Sequence, residues 1–273
     1  MSQTWQRETP PPADVSTTAG GVVRAVLRGV PLAITTFGCL ALLLLVRLIE
    51  RPIFGARRPI TPHITQFVCR MAFIWLGMGY RVEGRPDPNV VAVVANHSCW
   101  LDIFALNAPQ RIYFVSKAEV AGWPGIGWLA RATGTVFIER RRSEAARHTG
   151  MLAERMAMGH RLMVFPEGTS TDGQRVLPFR PTLLAAFMGE DAPEGARIQP
   201  VTVIYEAPDG APHDFYGWWG DMSFDRHLLN VLMVRRPGSV RVIFHPAVAV
   251  GTDRKALARS LRDAVAAPME QAV

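Results

Sequence analysis

The pattern of apolar positions divides this chain into an apolar first part and an alternating second part. Residues 29–46 are an uninterrupted apolar stretch between Arg28 and Arg47, and a second apolar patch covers residues 71–80. After residue 80, short β-branched runs alternate with stretches of helical spacing, such as residues 143–158. Six runs are predicted strands: residues 90–95, 112–116, 135–138, 162–165, 198–205 and 240–245. This alternation predicts an α/β fold, with a mainly parallel central sheet flanked by helices.

The first 80 residues are predicted to be a tail followed by hydrophobic, membrane-associated helices. Residues 1–20 include three consecutive prolines and show little periodicity, which predicts a disordered tail. Residues 21–80 would form the helices, and residues 81–273 the α/β domain. The stretch 29–46 is at the lower limit of length for crossing a bilayer. One spanning helix and a pair of helices embedded in one leaflet both fit the pattern, and a buried helix of a soluble core is a third alternative.

Composition narrows the class of partner. Hydrophobic residues make up 49% of the chain, the formal net charge is +7, the pI is near 10.0 and the mean hydropathy is +0.12. An apolar and basic chain is typical of proteins that bind an anionic lipid surface. The arginines are dispersed, and zinc-finger spacing and RNA-binding aromatic signatures are absent from the sequence, so we expect no nucleic acid partner. An odd number of cysteines in apolar surroundings (Cys39, Cys69 and Cys99) predicts free buried thiols in a reducing compartment.

A histidine and an aspartate follow the first buried strand of the α/β region. The stretch 91–102 reads VAVVANHSCWLD, so the strand ends close to His97, and Asp102 lies five residues further on. We predict that a helix begins after His97, with Ser98 as its N-cap and Asp102 in its first turn. Such a pair would remove a proton from a weak nucleophile such as an alcohol. Cys99 is an alternative nucleophile, but its apolar surroundings favour a packing role.

Polar residues also follow the next three predicted strands. Lys117 follows residues 112–116, Glu139 and Arg140 follow 135–138, and the sequence PEGTS follows 162–165. Ligands of parallel sheets bind beyond the carboxyl ends of the strands, so we expect one shared site. Arg140 can hold an anionic head group through two parallel hydrogen bonds. Glu167 beside Gly168 offers a hydroxyl acceptor where the backbone can approach a ligand closely, although P-E-G is also good turn chemistry.

Three ordered motifs carry a family resemblance. NHSCWLD (96–102), GTVFIER (134–140) and FPEGT (165–169) resemble the lysophospholipid acyltransferase family, which includes the 1-acylglycerol-3-phosphate acyltransferases. A fourth family block resembles the residues around Pro200. The resemblance implies acyl transfer from a thioester of coenzyme A or acyl carrier protein to a lysolipid hydroxyl, without a metal or other cofactor.

The resemblance also implies the role of each site residue. His97 would be the general base and Asp102 its partner, while Arg140 and Arg180 would bind the head group. Glu167 and Gly168, with Thr169 of the same motif, would position the glycerol-like part of the acceptor. The hydrophobic helices would let the site take its acceptor from a bilayer, at the cytoplasmic face of a bacterial-type inner membrane.

Departures from the family pattern leave the acceptor open. Phosphate-accepting members usually carry arginine directly after FPEGT, where this chain has Ser170, and their K-x-G-A element is replaced here by FRPT at 179–182. Lysophosphatidic acid is the family's usual acceptor and the leading prediction. The combination of FPEGTSTDGQRVLPFR (165–180) with WWGDM (218–222) resembles the branch that acylates lyso-ornithine lipid, which is the alternative. A lipid hydrolase and a non-catalytic lipid-binding protein are further alternatives, which the products of the reaction would separate.

Overall fold

The computed structural model describes residues 5–7, 10–139, 144–188 and 192–270. The helices are α1 (Ala19–Phe54), α2 (Thr61–Leu76), α3 (Leu101–Asn107), α4 (Ile126–Thr133), α5 (Ala145–Ala157), α6 (Phe224–Met233) and α7 (Arg254–Glu270). The strands are β1 (Gly79–Glu83), β2 (Ala92–Ala95), β3 (Tyr113–Lys117), β4 (Val136–Ile138), β5 (Leu162–Val164), β6 (Arg197–Glu206), β7 (Ser239–Phe244) and β8 (Val248–Ala249).

The strands form one mixed sheet in the order β1-β7-β6-β2-β5-β3-β4, with β8 paired to β6. Neighbouring strands are parallel except where β6 meets β7 and β8. The predicted α/β class with a mainly parallel sheet is confirmed. The sequence did not predict β1, because the strand begins inside the apolar patch 71–80 that is assigned to the helices, and four of its five residues are exposed at the edge of the sheet.

Strand β2 lies at the centre of the sheet and is buried on both faces. Val93 and Ala95 pack with α2, α3 and α6, whereas Ala92 and Val94 pack with α5 and α7. All four side chains are fully buried, which explains why the strand reads as a continuous apolar run. This central strand fixes the position of the residues that follow it.

Helix α1 leaves most of its apolar surface uncovered. It packs against α2 and α6, but only 6% of its most apolar window is buried, and the mean hydropathy of that window is 2.4. By length and composition it is the one helix in the described part of the chain that could cross a membrane. Arg24 and Arg28 donate hydrogen bonds to backbone carbonyls at the end of α6, which ties the start of α1 to the α/β domain.

Candidate active site

The site is built around a histidine held in place by a buried aspartate. His97 lies in the loop between β2 and α3, and its Nδ1 is 2.7 Å from Oδ2 of Asp102. Asp102 is in the first turn of α3 and its side chain is completely buried, while the side chain of His97 is 21% exposed to solvent. The ring stacks on Phe165 with its centroid 4.0 Å away. Because the aspartate engages Nδ1, the outward nitrogen Nε2 is the atom that can take a proton from a substrate.

Four hydrogen bonds hold the carboxylate of Asp102. Oδ2 also accepts from the backbone N–H groups of Ser98 (2.8 Å) and Cys99 (3.1 Å), and Oδ1 accepts from the hydroxyl of Tyr205 (2.7 Å). The predicted N-cap at Ser98 is wrong, because α3 begins at Leu101 and the capping position is Trp100. The strand-to-helix loop instead directs the N–H groups of Ser98 and Cys99 at Asp102, so the aspartate fixes the loop that contains His97.

Sequence reasoning missed the role of Tyr205. Tyr205 is the last residue of the predicted strand 198–205, and nothing in its local sequence indicates a contact with Asp102. Strands β6 and β2 are parallel neighbours, so the carboxyl end of β6 lies beside the loop that follows β2. Asn96 strengthens this junction with two 2.8 Å hydrogen bonds to the backbone of Val203. The contact between the Tyr205 hydroxyl and Asp102 therefore depends on the order of the strands, which the sequence did not predict.

Glu167 links the loop that contains His97 to the segment around Leu177 from a buried position. Its Oε1 accepts from the backbone N–H of His97 (2.8 Å), its Oε2 accepts from that of Leu177 (2.9 Å), and the residue is 1% exposed. Burial raises the pKa of Glu167 to about 8, against the lowering effect of these two hydrogen bonds. Since both oxygens face backbone donors, the geometry gives Glu167 the task of positioning His97. The predicted acceptor-binding role of Glu167 and Gly168 stays a prediction.

The other predicted site residues are distributed around this centre. Gly168 has a positive φ of 73° and closes the turn after β5 by a hydrogen bond to Phe165. The hydroxyl of Thr169 accepts from the backbone of Trp5, and Arg180 is exposed beside Pro166, to whose carbonyl its N–H donates. The predicted head-group residue, at position 140, lies outside the described residues.

The start of the chain packs against the loop that contains Ser170. Trp5 contacts Trp219 edge to face at 6.1 Å, and Arg7 lies 3.4 Å from Asp172. The hydroxyl of Ser170 donates to the carbonyl of Trp218 in the WWGDM segment. Trp5 and Arg7 belong to the predicted disordered tail, and these contacts place both residues next to the candidate site.

The alternative nucleophile is unsuited to that role. Cys99 is fully buried in the core, and burial, with Asp102 nearby, raises the pKa of its thiol well above the usual range. Cys39, Cys69 and Cys99 are all free thiols, as the sequence predicts, but only Cys69 and Cys99 are buried. Within the described ranges there is no group of three or more histidine, cysteine or acidic residues arranged to hold a metal ion.

The central strand of this α/β sheet ends close to a histidine that is paired with a buried aspartate, which is the geometry that general-base activation of a hydroxyl requires. The Acyltransferase family profile matches residues 81–204. The lyso-ornithine lipid O-acyltransferase of Rhodobacter capsulatus is 53% identical over 98% of this chain and 97% of its own length. The chain therefore belongs to the acyltransferase family, and the predicted resemblance and enzyme class are confirmed.

Two further similarities concern glycerolipid enzymes. A 1-acyl-sn-glycerol-3-phosphate acyltransferase of Neisseria gonorrhoeae is 37% identical over 48% of this chain and 51% of its own length. The crystal structure of the 1-acyl-sn-glycerophosphate acyltransferase of Thermotoga maritima matches with a TM-score of 0.57 at 21% identity, over 90% of this chain and 97% of that one. The structural match supports the fold.

Proposed function

We propose that this acyltransferase moves a fatty acyl group from an acyl thioester to the hydroxyl of lyso-ornithine lipid at a membrane surface. The observation that carries the reaction type is the His97–Asp102 pair, with Nδ1 of the ring 2.7 Å from the carboxylate. The full-length similarity to a lyso-ornithine lipid O-acyltransferase supports the acceptor. Coenzyme A or acyl carrier protein would carry the donor, which puts the reaction on the cytoplasmic face of the membrane.

The proposed step is a direct transfer without an acyl-enzyme. Nε2 of His97 takes the proton of the acceptor hydroxyl while the hydroxyl oxygen attacks the thioester carbonyl carbon. The new C–O ester bond forms, the C–S bond breaks, and the proton on the imidazolium passes to the departing thiolate. Asp102 keeps Nδ1 protonated and stabilises the imidazolium, and general-base catalysis of this kind contributes roughly 10² to 10⁴ in rate.

The charges beside Ser170 support an acceptor without phosphate. Arg7 lies within 3.4 Å of Asp172 and of Asp214, and Arg175 lies 2.9 Å from Asp172. These two arginines and two aspartates have no net formal charge. A dianionic phosphate favours surplus arginine, whereas an ornithine head group has one ammonium and one carboxylate of its own. The network therefore suits a zwitterionic head group better than a phosphate.

Lysophosphatidic acid remains the second candidate acceptor. The similarity to the enzyme of Neisseria gonorrhoeae favours it, and so does the exposed Arg180 beside the FPEGT turn. Of the two acceptors that the sequence left open, the comparisons favour the ornithine lipid.

A competition assay tests the proposal directly. Membranes that contain the protein are given acyl-coenzyme A with equal amounts of lysophosphatidic acid and lyso-ornithine lipid, and products are read by mass spectrometry. Membranes with the His97→Ala protein provide the background. We expect diacylated ornithine lipid to dominate. Phosphatidic acid as the main product would overturn the acceptor, and free fatty acid would identify a hydrolase.

A further inference from the structure

A cavity of about 810 Å³ lies at the end of α1, away from the catalytic pair. It is lined by five arginines, three apolar residues and three small residues: Arg47, Arg51, Arg58, Arg131, Arg155, Leu40, Leu44, Trp128, Gly55, Ala56 and Ala132. Arg155, which lines the cavity, donates hydrogen bonds to the carbonyl of Gly134 and to Nδ1 of His160. Gly134 and His160 lie just before β4 and β5 in the chain. The cavity is thus at the amino ends of parallel strands, whereas His97 follows the carboxyl end of β2.

Most of the positive charge of this arginine cavity is uncompensated among the described residues. Among the lining residues that the structure describes, no side chain is acidic. Arg47 is paired with the buried Glu50, and Arg58 and Arg155 donate to backbone carbonyls. Burial, together with the positive charges of Arg47 and Arg155, lowers the pKa of Arg58 to about 10. Cations held this close repel one another, so an anion in the cavity would relieve an unfavourable arrangement.

Two of the arginines are free to bind such an anion. In the described part of the chain, the guanidinium groups of Arg51 and Arg131 have no hydrogen bond or ion pair, and both residues are exposed. They project from different elements, α1 and α4, into the same space. Guanidinium groups arranged around one point favour phosphate, which accepts several charge-assisted hydrogen bonds at once.

The remaining wall of the cavity is apolar. Leu44 is 51% exposed and Trp128 is 70% exposed, although both are large hydrophobic residues. Leu40 and Leu44 continue the uncovered apolar surface of α1, which is the surface proposed to meet the membrane. A free phosphate would leave this wall in contact with water, whereas a lipid would cover it with its acyl chain.

We propose that the arginine cavity binds the phosphate of one anionic phospholipid, whose acyl chain lies along Leu40 and Leu44. The inference rests on the membrane association proposed above, but not on the acceptor or the catalytic mechanism. The bound lipid is neither substrate nor product, because the cavity lies at the amino ends of the strands, whereas His97 lies at the carboxyl end of β2. Its role is to hold α1 and α4 together at an anionic membrane surface.

The test measures lipid binding rather than turnover. The full chain in non-ionic detergent micelles is titrated with phosphatidylglycerol, and bound lipid is counted by native mass spectrometry. We expect one tightly bound phosphatidylglycerol per chain, weaker binding of phosphatidylcholine, and little binding of glycerol phosphate, which has the anion but no acyl chain. Equal affinity for all three compounds would overturn the proposal.

Paired arginine variants locate the site. Each arginine near an anionic lipid surface contributes about five-fold to affinity, so Arg51→Gln with Arg131→Gln should raise the Kd for phosphatidylglycerol about 10- to 30-fold. The control, Arg254→Gln with Arg259→Gln, removes the same charge from exposed positions on α7, which contributes no residue to the described lining of the cavity, and should change the Kd less than about two-fold. Equal losses in both pairs would show that charge alone binds the lipid and would overturn the site.

A kinetic measurement separates a lipid from the second source of phosphate, coenzyme A. The Michaelis constant for acyl-coenzyme A should be unchanged in the Arg51→Gln, Arg131→Gln protein. A raised constant, with phosphatidylglycerol binding intact, would assign the cavity to the acyl donor and overturn the lipid site. Because the lipid titration needs no catalysis, failure of the proposed function and failure of this inference give different results.

Discussion

The substitution Glu167→Gln separates the role that the sequence predicts for this residue from the role that the structure indicates. The glutamate oxygens accept from the N–H groups of His97 at 2.8 Å and Leu177 at 2.9 Å. A glutamine of the same shape keeps one of these hydrogen bonds and sets its NH₂ group against the other donor. An unsatisfied buried donor costs about 1–3 kcal/mol, so the free energy of unfolding should fall by about that amount.

The effect on turnover should exceed the effect on substrate binding. The lost hydrogen bond fixes the backbone of the catalytic histidine, and a shift of about 1 Å in a catalytic group can reduce the rate about 100-fold. We expect kcat to fall at least about ten-fold, while the Michaelis constant for the lysolipid changes little. If Glu167 binds the acceptor, as the sequence predicts, the Michaelis constant should rise and stability should stay near the parent value.

The assay pairs thermal unfolding in detergent micelles with initial rates over a range of acceptor concentrations. Glu154→Gln, at an exposed position on α5, is the matched control and should leave both quantities unchanged. Unaltered stability together with normal kcat in the Glu167→Gln protein would refute the positioning role.

Three further predictions follow from the same site. His97→Ala should keep the melting temperature within a few degrees and cut kcat by at least about 100-fold, and a folded variant with near-normal turnover would disprove the general base. Ser170→Arg adds a cation beside the balanced charges of Asp172 and Arg175, so the product ratio in the competition assay should shift towards phosphatidic acid; an unchanged ratio would remove position 170 from acceptor selection. Because the pKa of Glu167 is raised from 4.5 to about 8, the folded protein keeps a proton that the unfolded chain loses, so this residue's contribution to stability is complete below about pH 4.5 and declines as the pH rises to 8. Denaturant unfolding at pH 5 and pH 8 should show a smaller pH-dependent loss for Glu167→Gln than for the parent protein, and equal losses would contradict the raised pKa.

The elements that the sequence predicted well are those whose signal is local. Strand β2 is buried on both faces, so its apolar run is visible without knowledge of its neighbours. His97 and Asp102 are five residues apart, and one tight loop brings them into contact. The family motifs also indicated that residues after several different strands contribute to one site.

The elements that the sequence could not predict depend on which strands and loops are neighbours. Strand β7 enters between β6 and β1 and runs antiparallel to β6, although α6 connects the two strands, an arrangement more typical of parallel neighbours. Tyr205 reaches Asp102 across 103 residues of sequence, and Trp5 reaches Thr169 across 164. Such contacts have no local pattern, since their free energy is realised only when distant segments are already in place.

Glu167 shows, at a single residue, the difference between what the local sequence predicts and what the tertiary structure decides. Its motif identifies the position as part of the site, but the motif does not reveal what the carboxylate contacts. Only the tertiary structure shows that both oxygens face backbone donors from other loops and that the group is removed from water. Sequence alone determined the fold class and the enzyme family and predicted the contact between His97 and Asp102, because each has a signal in short stretches of chain. The tertiary structure decided the strand order, the support of the pair and the arginine cavity, because these arise from packing between segments far apart in sequence.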